Sequence, residues 1–106
     1  MAAWMDVAAA ADFPPGSVRT VDADGVPIAV FNVGGEYYAI EDCCSHEAGT
    51  LSDGTVEGRE IICPRHFARF SLVSGAALSP PAYEPVASFP VRIADGMVQV
   101  RDDRFD

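Results

Sequence analysis

Basic residues are scarce in this chain, seven against sixteen acidic ones, and the net charge of -9 sets up a field that repels phosphate backbones and anionic lipid. Nucleic-acid and membrane partners are therefore disfavoured. The same acidic surface suits either steering onto a basic docking patch or simple solubility. No run of about eighteen apolar residues occurs, so no membrane-spanning helix is expected. The opening stretch, MAAWMDVAAAAD, lacks a basic leader, and Asp6 and Asp12 bracket its alanines. It reads as neither a secretory signal nor a transit peptide, which points to the cytoplasm. A helical period, internal repeats, a low-complexity segment and the GxGxxG fingerprint of a nicotinamide or flavin domain are all missing too. Cysteine occurs only three times. An odd count in a reducing compartment argues against a disulfide framework and leaves metal binding as the leading use.

What remains is enough for one hydrophobic core. With 106 residues, 49% of them apolar and 22% charged, the chain is expected to form a single domain over residues 1–106. Gly, Pro, Asp and Asn clusters every eight to twelve residues or so predict short strands and an all-β fold. Val26 to Val33 reads as a strand, Gly34-Gly35 as a two-residue hairpin turn, and Glu36 to Glu41 as the returning partner. Glu60 to Cys63 and Phe67 to Val73 read as neighbours, with Gly75 closing the unit. Ser79 to Pro85, SPPAYEP, is too proline-rich for a sheet interior and must be a loop. Phe89 to Ile93, a turn at Asp95-Gly96, and Met97 to Arg101 form a last hairpin, followed by a tail, 102–106, expected to fray. Trp4, Tyr37, Tyr38 and Phe89 read as core or sheet-face residues rather than electron relays.

Every Cys and His falls in one middle segment. Cys44-Ser45-His46 is a C-x-H pair, and sixteen residues separate it from Cys63-Pro64-Arg65-His66, a C-x-x-H pair. Each pair mixes a thiol with an imidazole. Two loops built this way can bring two thiolates to one iron of a cluster and two imidazoles to the other. Neutral imidazoles carry less negative charge than thiolates, so the added electron is easier to accept and the potential rises. The competing use of four such ligands is a structural zinc site, but zinc fingers space their ligands C-x₂₋₄-C and H-x₃₋₅-H, and neither spacing occurs here. Cys43, beside the proposed ligand, reads as a small buried hydrophobe, since neighbours in an extended segment point opposite ways.

The run CCSHEAGTLSDGTVEGREIICPRHFARFSLVSGAALSPPAYEPVASFPVRIADGMVQV resembles the Rieske ferredoxins that serve bacterial ring-hydroxylating oxygenases, a likeness over about residues 26–101 carried by both ligand pairs and the DGxVEG link. That resemblance implies a Rieske fold of three antiparallel β-sheets, with a cluster-binding subdomain at about residues 42–77 inserted into a β base. It implies one [2Fe-2S] cluster, with Cys44 and Cys63 on one iron and His46 and His66 on the other. It also implies that Pro80, Pro81 and Pro85 belong to a rigid third loop covering the cluster. Respiratory members of the family carry a cysteine three residues after the first histidine and another just before the second; Gly49 and Arg65 stand there. Their Ser and Tyr hydroxyls near the cluster are replaced by Ala68 and Phe70. Without those donors the reduced state is less stabilised, and a potential on the order of -150 mV is expected. Phe67, where glycine is common, is expected to pack on its loop, the alternative being that it shields one side of the cluster, and Ser71 stands where Asp is frequent.

Oxygen activation commonly needs a mononuclear iron held by two histidines and a carboxylate. The chain has two histidines in all, and the implied cluster uses both. The expected role is thus a non-catalytic, monomeric carrier that takes single electrons from an NAD(P)H-dependent flavoprotein reductase to a terminal oxygenase. A small Rieske subunit of a reductase complex such as nitrite reductase, and a zinc-stabilised interaction module, are the alternatives. Arg65 and Arg69, flanking His66, are expected to dock an acidic partner edge, tune the potential, or pair with Glu41, Glu47 or Asp53.

Overall fold

The computed structural model describes residues 3–43, 49–64, 67–80, 82 and 84–104. Its regular elements are strands, apart from one short 3₁₀ turn at Ala10–Asp12. The strands are β1 (Met5–Ala9), β2 (Val18–Ala23), β3 (Val26–Val33), β4 (Glu36–Glu41), β5 (Thr55–Glu57), β6 (Glu60–Ile62), β7 (Arg69–Ser71), β8 (Ser88–Phe89), β9 (Val91–Ala94) and β10 (Met97–Val100). They form three sheets, ordered β1-β10-β9, β2-β3-β4-β8 and β5-β6-β7, and every pairing is antiparallel. The all-β, three-sheet expectation is borne out.

The second sheet is the middle layer, and β3 explains why. Successive side chains of a strand face opposite ways. Ile28 and Val30 enter one buried cluster with Phe13, Ala39, Phe89, Val98 and Val100, which joins the first sheet to the second. Ala29 and Phe31 enter the other, with Ile40, Leu51, Ile61, Phe70 and Leu72, which joins the second sheet to the third. A strand buried on both faces has no polar side to show, so Ile28 to Phe31 reads as an unbroken apolar run rather than an alternating one.

The hairpins follow from residues that tolerate positive φ. Gly34-Gly35 turns at φ 62° and 96°, and Asp95-Gly96 at 51° and 77°, the geometry that matches strand twist. Asp24-Gly25 makes a third such turn, at 53° and 88°, between β2 and β3. β1, β2 and β5 were not anticipated. β1 is alanine-rich and bulged between Asp6 and Ala8, and β5 is only three residues long with all of them exposed, so none presents a strong period-two signal.

One expected strand proves to be two. Phe89 to Ile93 is interrupted by Pro90: β8 pairs with β4 in the middle sheet, whereas β9 pairs with β10 in the first. Proline lacks the N–H a continuous ladder needs, and here it marks the corner where the chain changes sheets. Within the tail, residues 102–104 are better held than expected, and 105–106 lie outside the described residues. The Arg104 guanidinium forks onto Asp102 at 2.8 and 2.7 Å and lies 5.3 Å from the Phe89 ring centroid. Trp4 is half-buried beneath two guanidiniums, Arg92 at 4.3 Å and Arg101 at 5.5 Å from its ring centroid, a cation–π arrangement. Tyr37 meets Phe13 edge-on and donates its hydroxyl to the Phe13 carbonyl, and Phe89 is buried.

Candidate metal centre

Along the chain, β5 and β6 of the third sheet lie between the two segments that carry the expected ligands, and β7 follows the second. Of these, Cys63 is described; Cys44, His46 and His66 lie outside the described residues, as do Arg65, Pro81 and Glu47. Cys63 follows β6 directly, is fully buried, and is not in a disulfide. Its N–H donates to the Ala68 carbonyl at 2.8 Å, and its own carbonyl accepts the Phe67 N–H at 2.9 Å. These two bonds close the base of the segment that contains His66. Closure requires Phe67 at φ 59°, a left-handed conformation costly for a non-glycine residue and natural for the glycine common there.

Phe67 does not pack on its loop: 73% of it is exposed. The positive φ turns its side chain away from the adjoining core, whose buried members here are Ala68 and Phe70. Neither of those two can donate a hydroxyl proton, so the only oxygen and nitrogen groups they bring near Cys63 are backbone.

The other expected ligand segment starts from Asp42, one of two buried polar residues among those described. One carboxylate oxygen accepts the N–H groups of Leu51 and Ser52, both at 2.8 Å, and the other accepts the Ser52 hydroxyl at 2.9 Å. Asp42 escaped notice in the sequence because its partners lie nine and ten residues on. The available signal was an acidic residue just ahead of the C-x-H pair and a serine just beyond it. Cys43 is half-buried rather than buried.

Arg69 pairs with neither Glu41 nor Asp53 among the ion pairs described. It reaches across the third sheet to Glu57 at 3.2 Å and Glu60 at 3.3 Å. The hydrogen bond to Glu57, then that to Glu60, raises its pKa above the ordinary guanidinium value. Ser71 uses its hydroxyl oxygen to accept the N–H groups of Val73 and Ser74, both at 3.2 Å. An aspartate would present the same acceptor at that turn. Ser79 likewise accepts the Arg69 N–H at 3.0 Å, which fixes the start of the proline-rich connection. Among its described residues, 79–80, 82 and 84–85, there is no strand.

Residues 3–90 match the Rieske [2Fe-2S] domain family. The chain belongs to that family. It is 41% identical over 98 residues to the ferredoxin component of the naphthalene 1,2-dioxygenase/salicylate 5-hydroxylase systems of a Ralstonia species, covering 92% of this chain and 94% of the relative. Among solved structures it superposes with a TM-score of 0.87 and 40% identity, over 92% of each chain, on a structure described as a complex of reduced oxygenase and oxidized ferredoxin in carbazole 1,9a-dioxygenase. It also matches the ferredoxin of carbazole 1,9a-dioxygenase from Nocardioides aromaticivorans IC177, with a TM-score of 0.86 and 31% identity over 92% of this chain and 95% of the other. The group it carries is one Rieske-type [2Fe-2S] cluster, not zinc, and the chain is a ferredoxin that transfers electrons rather than a catalyst. The surroundings fit such a group: a thiol buried at a strand end, in a loop closed at its base, beside the buried Ala68 and Phe70, which bring no hydroxyl of their own. When bound, the cluster supplies a site for one exchangeable electron.

Proposed function

We propose that the chain shuttles single electrons from an NAD(P)H-dependent flavoprotein reductase to the Rieske centre of a terminal ring-hydroxylating oxygenase, working as a monomer in the cytoplasm. The observation that carries this reading is the 40% identity, along 92% of both chains, to a protein solved with its oxygenase. The cluster is held by Cys44 and Cys63 through sulfur and by His46 and His66 through ring nitrogen, in a subdomain at about residues 42–77. Burial of Cys63 and the closed turn behind it support that assignment. No helix among the described residues is long and apolar enough to cross a membrane, which is compatible with the cytoplasmic reading.

The chain's own residues perform three tasks in this scheme. Ala68 and Phe70, fully buried beside Cys63, withhold hydroxyl donors from the cluster and keep its potential at the low end of the Rieske range, on the order of -150 mV. Phe67, the exposed residue that follows His66 in the chain, offers an apolar contact within a docking face of under about 1,200 Å², the size of short-lived redox encounters. The acidic remainder of the surface steers the approach, so reduction by the flavoprotein should slow as ionic strength rises.

The test begins with iron and labile-sulfide analysis and an EPR spectrum of the reduced protein. Two irons, two sulfides and an average g value below that of an all-thiolate cluster are expected. His46→Cys and His66→Ala should alter the visible spectrum and the midpoint. A colourless protein containing zinc, or histidine variants with an unchanged spectrum, would refute the assignment.

A further inference from the structure

Asp42 is not one of the expected ligands but sits two residues ahead of Cys44. It is 6% exposed at the end of β4, and its N–H donates to the Pro27 carbonyl at 2.8 Å, which anchors it to the middle sheet. Its side chain takes three donors from Leu51 and Ser52. One carboxylate thereby joins the two ends of the segment 43–50, which contains Cys44 and His46. The chain beyond that junction leads straight to the second ligand segment. Leu51 is fully buried, and its carbonyl accepts the Gly54 N–H at 3.0 Å. Gly54 in turn lies so close to β6 that a Cβ there would overlap the carbonyl of Ile62, the residue before Cys63.

We propose that Asp42 is a positioning residue for the cluster: it fixes where the first ligand segment leaves and re-enters the fold, and through Leu51 and Gly54 it sets the spacing of that segment from Cys63. The inference rests on ligation by Cys44, His46, Cys63 and His66. A carboxylate suits the task because it only accepts, and its two oxygens can take two amides and a hydroxyl together. Hydrogen bonds to an ionised acceptor are stronger than neutral ones. Asparagine keeps one oxygen for the two amides and turns its NH₂ toward a hydroxyl that can accept. Alanine keeps nothing and strands the buried Leu51 N–H.

The experiment compares Asp42→Ala, Asp42→Asn and Ser52→Ala with Val98→Ala, a cavity variant in the core between the first two sheets. Each is followed by the rate at which visible absorbance bleaches in excess chelator, by the EPR line shape of the reduced protein, and by Tm. Asp42→Ala should bleach roughly tenfold faster than the native protein and broaden the EPR lines, and Ser52→Ala roughly two- to threefold faster. Asp42→Asn should restore the native line shape, while Val98→Ala lowers Tm and leaves line shape unchanged. The proposal is overturned if Asp42→Ala bleaches no faster than Val98→Ala with unaltered lines. Should Asp42→Ala fail to fold, a native bleaching rate in Ser52→Ala overturns it equally. A native protein without the mixed-ligand EPR signal would instead strike at ligation, and would be seen before any variant is made.

Discussion

The base of two sheets and the third sheet are held together by different means. In the base, β2, β3 and β4 run six, eight and six residues and are joined by two-residue turns, so ladders and hydrophobic alternation set the register. In the third sheet each strand is three residues long. Ladders that short specify little, and side chains complete the work. Asp42 ties down Leu51 and Ser52, Ser71 caps the turn at Val73 and Ser74, and Ser79 receives the Arg69 N–H. A redox site needs loops, and loops need clasps where strands cannot reach.

The largest expected effect tests whether the two regions are separable. Phe13 and Phe70 are both fully buried, one in each core cluster. Phe13→Ala and Phe70→Ala should each cost about 3–5 kcal/mol. In heating experiments Phe70→Ala should lose its visible colour before its far-ultraviolet signal, whereas Phe13→Ala should lose both together at a lowered temperature. Coincident transitions in Phe70→Ala would mean that the third sheet and the base unfold as one unit.

Glycine substitutions come next. Gly96 and Gly75 share a left-handed φ, 77° and 81°, but a Cβ at Gly96 meets nothing, whereas one at Gly75 would overlap the Val86 carbonyl. Gly96→Ala should therefore cost about 1–2 kcal/mol, from conformation alone. Gly75→Ala should cost about 1–3 kcal/mol more by denaturant titration, because the obstacle is backbone. Equal losses would show that the chain around Val86 yields freely.

Smaller again is Ser71→Ala, which removes an acceptor shared by two turn amides and should cost about 0.5–1.5 kcal/mol. Ser71→Asp should be nearly neutral in the same titration, since the acceptor survives.

The two regions were also unequally legible in the sequence. Gly34-Gly35 and Asp95-Gly96 announced their hairpins because the chemistry of a two-residue turn is local. The two Cys/His pairs were equally plain, being spacings within a few residues. Longer reach defeated the reading. The partners of Arg69, Glu57 and Glu60, become neighbours only once the register of β5, β6 and β7 is known. The exposed side chain of Phe67 depends on the sign of one φ angle, which no composition discloses. Pro90 could have been read as a break, yet its apolar flanks on both sides mimic one strand. They are apolar because both sheets face a common core. β2 had a turn signal of its own at Asp24-Gly25, but as an edge strand it keeps only half-buried and exposed residues, so its pattern is faint.

The smallest effects distinguish the ion pairs of the two regions. Arg69→Ala should cost only about 0.2–1 kcal/mol at low salt and nothing measurable at high salt, because Glu57 is largely solvated and Glu60 partly so. The Asp102–Arg104 pair in the base is a forked contact with the carboxylate better covered, 12% exposed against 66% for Glu57. The hydrogen bond from Arg104 lowers the Asp102 pKa below its ordinary value. A carboxyl depressed on folding adds stability that is complete above the unfolded value of about 3.9 and disappears as pH falls through the folded value. Native protein and Asp102→Asn should accordingly differ in Tm near neutrality and converge in strong acid. A gap that stayed constant across that range would mean that the charge of Asp102 contributes nothing and that the fork acts only through its hydrogen-bond geometry.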